Sequence, residues 1–98
     1  MVEQARQDPS RGVYGISVAG ELTGLGVQNI RAYEKYGLLT PGRSQGGTRR
    51  YSEDDLARLR RIGQLLQDGL NLAGIARVLH LEDHNADLQA ELQTRTSR

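Results

Sequence analysis

VQNIRAYEKYGLLTPGRSQGGTRRYS, residues 27–52, decides the fold. Its first ten residues are predicted to form a short helix. The apolar side of that helix is narrow, chiefly Ile30 with Tyr33 or Tyr36, and its outer side offers Gln28, Asn29, Arg31 and Lys35. A helix that only packs a core shows a wider apolar stripe. Gly37 stops the helix, and Leu38 and Leu39 anchor the next segment on the core. Pro41, Gly42, Gly46 and Gly47 then favour a hairpin with a positive-φ turn at the glycine pair, and Arg49, Arg50 and Tyr51 close it. A polar, basic helix beside an arginine-bearing hairpin suits a polyanion: the helix fits a DNA major groove and the hairpin reaches the neighbouring phosphates. Tyr51 can donate its hydroxyl to a phosphate or pack inward. The plainer alternative is a solvated surface helix next to a solvated hairpin edge.

The flanks read as support. Residues 1–12 are polar, contain Pro9 and Gly12, and are predicted to be a disordered tail. A first helix opens at Ile16-Ser17, with Ser17 as N-cap and Val18, Ala19 and Leu22 on its buried side. Gly24 and Gly26 bracket Leu25 in a tight turn, so helix, Gly-containing turn and helix come in helix-turn-helix order. Ser52-Glu53-Asp54-Asp55 is a capping box with three acids at the positive end of a third helix, whose core positions are Leu56, Leu59, Ile62, Leu65 and Leu66. Gly69 ends it. Asn71 caps a fourth helix that buries Leu72, Ile75, Val78 and Leu79.

Composition narrows the function. The chain has 98 residues, enough for one small domain, and no Cys, which excludes disulfides, thiolate metal sites and thiol redox switches. Phe and Trp are absent, so the core rests on aliphatic residues and four Tyr. No apolar run reaches membrane-spanning length and the N-terminus lacks a signal-peptide core, so a cytoplasmic protein at the bacterial nucleoid is expected. Net charge is only +1, yet residues 31–61 hold eight basic side chains against four acidic ones, while residues 80–98 hold four acidic against two basic. Twelve of the thirteen basic residues are Arg, whose planar fork suits phosphate and guanine. No nucleophile–base pair, carboxylate dyad or phosphate loop is present, so neither an enzyme nor a cofactor is expected. His80 and His84 stand four apart and could share a helical face, but H-x-E-x-H is not a zincin pattern, and surface histidines are the expected reading.

With those residues in place the chain resembles the MerR family of bacterial transcription regulators. The resemblance rests on Ile16-Ser17-Val18-Ala19, Ile30-Arg31-Ala32-Tyr33-Glu34, Gly37-Leu38, Pro41, Arg43 and Gly47-Thr48-Arg49-Arg50-Tyr51-Ser52. It covers about residues 14–82. Within the family, GGTRRYS with the later Asn71-Leu72-Ala73-Gly74-Ile75 is similar to the HspR-like heat-shock repressor subgroup. The resemblance implies an all-α fold of the winged helix-turn-helix type with a short β-hairpin wing and a short C-terminal helix. It divides the chain into a tail over 1–12, a DNA-binding domain over 13–82 and a C-terminal helix over 83–98. It implies a repressor that binds inverted repeats in double-stranded DNA, with a DnaK-like chaperone as co-repressor. Val27, Gln28, Asn29, Arg31 and Lys35 would serve the recognition helix, Tyr33 would touch the backbone, and Arg43, Arg49, Arg50 and Tyr51 would be the wing contacts.

About sixteen residues come after Glu82, enough for ~24 Å of helix. The only apolar repeat there is Leu81, Leu88 and Leu92, so a monomer or weak dimer that pairs on DNA is expected. Two alternatives stay open: a small architectural binder or recombination directionality factor that bends DNA, and a protein-interaction adaptor that does not bind DNA.

Overall fold

The structure, a computed structural model, describes residues 8–43 and 47–96. Its elements run α1 (Ile16–Thr23), α2 (Val27–Lys35), β1 (Gly42–Arg43), β2 (Arg49–Arg50), α3 (Glu53–Gln67) and α4 (Leu72–Thr96). The helical class and the small hairpin wing match the sequence expectation.

The capping box at the start of α3 is complete. Asp55 N–H donates to Ser52 Oγ at 3.0 Å, and Ser52 N–H donates to the Asp55 carboxylate at 2.9 Å. Glu53, Asp54 and Asp55 sit at the positive end of the helix dipole. From there Leu56, Leu59, Ile62 and Leu65 point into the core and meet Ala19, Ile30, Tyr33, Leu38, Leu39, Tyr51, Ile75 and Leu79. A fully buried Leu or Ile side chain stabilises a fold by roughly 1.5–3 kcal/mol, and this set is what holds the four helices together.

Helix ends coincide with the glycines. At the end of α2, Gly37 N–H donates to Glu34 O and Leu38 N–H to Tyr33 O, the paired bonds of a Schellman motif. Gly37 has φ +88, which is why a glycine is required there. Gly69 and Leu70 repeat the motif at the end of α3 through Leu66 O and Leu65 O. Asn71 caps α4 as expected, its Oδ1 accepting from Gly74 N–H at 2.8 Å.

Several expectations are corrected. The N-cap of α1 is Gly15, without a side-chain cap, and Ser17 lies inside the first turn. The cause is a backbone bridge between Tyr14 and Tyr51, with N–H to O distances of 2.9 and 2.7 Å, which fixes the chain immediately before the helix. Of the three residues expected on the buried side, Ala19 is buried, but Val18 and Leu22 are exposed, and Gly20 faces inward beside Ala19. The α1–α2 turn approaches so closely that a Cβ on residue 20 would lie 3.0 Å from Leu25 O. A side chain at position 20 would press on that backbone.

Of the tail expected over residues 1–12, residues 1–7 lie outside the described part. Residues 8–12 are tied down: Arg11 N–H donates to Asp8 O, and Asp54 N–H donates to Pro9 O, both at 3.0 Å. The helix expected over 83–98 continues α4 without a break as far as Thr96. Twenty-five residues make a rod of about 37 Å, so the radius of gyration is 15.3 Å against about 13 Å for a compact chain of this size.

Candidate nucleic-acid interface

α2 is nine residues long, about 13 Å, comparable to the width of a major groove. Its apolar side is spent on Ile30 and Tyr33, both buried. Gln28, Asn29, Arg31 and Lys35 lie toward solvent, Val27 is half-buried, and Arg31 and Lys35 have no ion-pair partner among the described residues. Gly26 caps α2 without a side chain, and no acid lies in the first turn. The positive end of α2 is therefore left unneutralised, whereas α3 carries three acids at the same position.

The wing lies alongside. β1 pairs antiparallel with β2 in the register Gly42–Arg50 and Arg43–Arg49. Gly47 has the expected positive φ, +85, while Gly46 and the Arg43 side chain lie outside the described part. Between α2 and the wing runs a groove of about 440 Å³ lined by Arg31, Glu34, Lys35, Leu39, Thr40, Pro41 and Arg49. Arg50 is half-buried, packed beside Gly12 and Gly15, with no ion pair among the described residues.

Glu34 joins the two elements, a role that spacing along the chain does not signal. Its carboxylate accepts the Tyr51 hydroxyl, and its Oε1 lies 2.5 Å from Arg49 Nε, an ion pair by distance although the N–H is not aimed at the oxygen. The Glu34 side chain is 9% exposed and that of Arg49 41%, so Arg49 is anchored at Nε while part of its guanidinium reaches solvent. Burial first, and then the hydrogen bond to Glu34, push the Tyr51 phenol well above its ordinary range. Tyr51 is fully buried, so it is corrected from a phosphate contact to a core residue that positions the wing. Tyr33 is also buried, which raises its phenol, and it lines a second cleft with Asn29, Arg60 and Gln64.

The basic excess of residues 31–61 divides into two groups. Arg58 donates to Leu38 O and pairs with Asp83 at 3.2 Å, and Arg61 pairs with Glu82 at 2.6 Å. Arg60 donates to Leu22 O at 3.2 Å. These three hold α4 and α1 against α3. Among the described side chains of that stretch, those left to meet an anion are Arg31, Lys35, Arg50 and the solvent-reaching part of Arg49. Leu81, Leu88 and Leu92, the expected dimerisation residues, are exposed on α4, as are His80 and His84. Among the described residues no helix is long and apolar enough to cross a membrane.

A helical hairpin, a two-stranded wing and a groove with basic walls between them define a winged helix-turn-helix protein. Residues 14–82 match the MerR HTH family of regulatory proteins, and the chain belongs to that family. Over 79 residues, 80% of its length, it is 52% identical to a Streptomyces coelicolor protein named as the heat shock protein HspR. It spans about half of that relative, 52%. Among solved structures it is similar to the lead(II) complex of the transcription regulator PbrR691 from Ralstonia metallidurans, with TM-score 0.68, 34% identity and coverage of 86% of this chain and 73% of that one. It is also similar to HiNmlR, a MerR family regulator lacking the sensor domain and bound to promoter DNA. There the TM-score is 0.67, the identity 28%, and the coverage 85% of this chain and 67% of that one.

Proposed function

We propose that this chain is a sequence-specific double-stranded DNA-binding transcription regulator that acts as a repressor of the heat-shock type. α2 enters the major groove, with Gln28, Asn29 and Arg31 at base edges and Lys35 near the backbone. Arg49 and Arg50 meet the flanking phosphates, joined by Arg43. The observation that carries this reading is the exposed polar face of α2, with Arg31 and Lys35 free of ion pairs among the described residues, set beside the arginine wing across one groove. The likeness to HspR over four fifths of the chain supports the repressor class. An operator of two symmetric half-sites needs two protomers, and the exposed leucines of α4 are where a second copy would dock. A DnaK-like chaperone as co-repressor belongs to the same proposal and should tighten operator binding when added.

The test is selection of bound duplexes from a random library, with footprinting on the source genome as its second stage. Inverted repeats at promoters are the expected result. Direct repeats outside promoters would favour an architectural binder, and no enrichment at moderate salt would favour an adaptor.

A further inference from the structure

The wing is too short to orient itself. Two residue pairs form its ladder, and an isolated hairpin of that size has little stability of its own. Its angle to α2 is set from outside, on one side by the Tyr14–Tyr51 bridge and on the other by Glu34. Glu34 is also out of place electrostatically. It lines the groove that Arg31, Lys35 and Arg49 make positive, and a carboxylate there opposes a phosphate chain. A residue present for affinity would not carry that charge.

We propose that Glu34 is the specificity-setting positioning residue of the interface: it ties the recognition helix to the wing through Arg49 and Tyr51 and lowers binding to DNA that cannot engage both at once. This rests on the DNA-binding reading above. Arg49 is held at Nε and presents the rest of its guanidinium from one direction, whereas Arg31, Lys35 and Arg50 have no ion pair among the described residues and can adapt to the phosphates of any duplex. On the correct site, helix and wing are satisfied together. The Glu34 charge opposes both duplexes, but on a random one it is not offset by helix and wing contacts made together.

The experiment compares the full chain with Glu34→Gln, Tyr51→Phe and the double variant on two probes, a duplex selected by the wild-type protein and a random-sequence duplex, over a range of salt. Glu34→Gln should bind the random duplex as well as or better than wild type and lose about tenfold on the selected one. Its salt slope on random DNA should steepen by up to about 1, because Arg49 is released to a phosphate. Tyr51→Phe keeps the packed ring and removes only the hydroxyl, so it should lose selectivity without a large fall in melting temperature. The double variant should lose little more than Glu34→Gln alone, since both act through one brace.

Equal losses on both probes, or an unchanged ratio in a folded variant, would overturn the proposal while leaving DNA binding intact. Additive losses would overturn it as well. A wild-type chain that bound no duplex would overturn the DNA reading and this inference with it.

Discussion

At the residue scale, the exposed side chains of α2 and the buried ones divide the work. Arg31 is exposed, without an ion pair among the described residues and on the groove wall, so Arg31→Ala should cost about 1–3 kcal/mol on a selected site and less on random DNA. Paired titrations on the two duplexes check this, and equal losses would make Arg31 a phosphate contact. Tyr51 gives a pH signature. Its folded phenol titrates above the ordinary value near 10, so the unfolded chain releases that proton first as pH rises. Stability from this group is complete below about 10 and falls as pH climbs from there toward the raised folded value. Urea unfolding at about pH 8 and at successive points above about 10 should show this decline, shallower in Tyr51→Phe. The identity of the exposed residues was legible in the sequence, because a helix with so narrow an apolar side must present the rest. The fate of Tyr51 was not. Donation to phosphate and inward packing are equally compatible with its place in the chain, and the choice depends on Glu34, seventeen residues away.

At the element scale, helix ends were the most legible feature. Ser52, Gly37, Gly69 and Asn71 act where local backbone chemistry places them, since capping involves neighbours within a few residues. α1 was the least legible. Its start is fixed by a bridge to Tyr51 and its facing by the close approach of Leu25, both distant or steric effects that hydropathy does not encode. Hence Val18 and Leu22 point outward although they lie at helical spacing. Gly37 links element to interface, because its turn directs Leu38 and Leu39 into the core and sends the chain into the wing. Gly37→Ala must hold a Cβ at φ +88, at a cost of roughly 1–2 kcal/mol. A thermal melt should show that loss as a fall in melting temperature, and an unchanged melt would mean the turn relaxes at no cost.

At the scale of the whole molecule, α4 changes the terms for assembly. An isolated helix of some sixteen residues is marginal, but this one is propagated from a half already packed through Ile75 and Leu79, so the nucleation cost is met within the core. Arg58–Asp83 and Arg61–Glu82 steady the point where it leaves the body, each exposed pair worth at most about 1 kcal/mol. Three exposed leucines offer a few kcal/mol at ~25 cal/mol per Å² of apolar area, comparable with the cost of association. A weak dimer that closes on DNA is the expected outcome. Leu88→Asp with Leu92→Asp should abolish cooperative binding in gel shifts while leaving affinity for one half-site unchanged; retained cooperativity would move the dimer contact elsewhere. Whether α2 reads sequence while the wing holds the backbone comes down to how tightly the full chain binds its selected duplex and a random one across about 50–200 mM salt. Binding to the selected site should be at least about 10³-fold tighter at physiological salt, with both affinities falling as salt rises. Equal affinities at every salt concentration would contradict that division of labour.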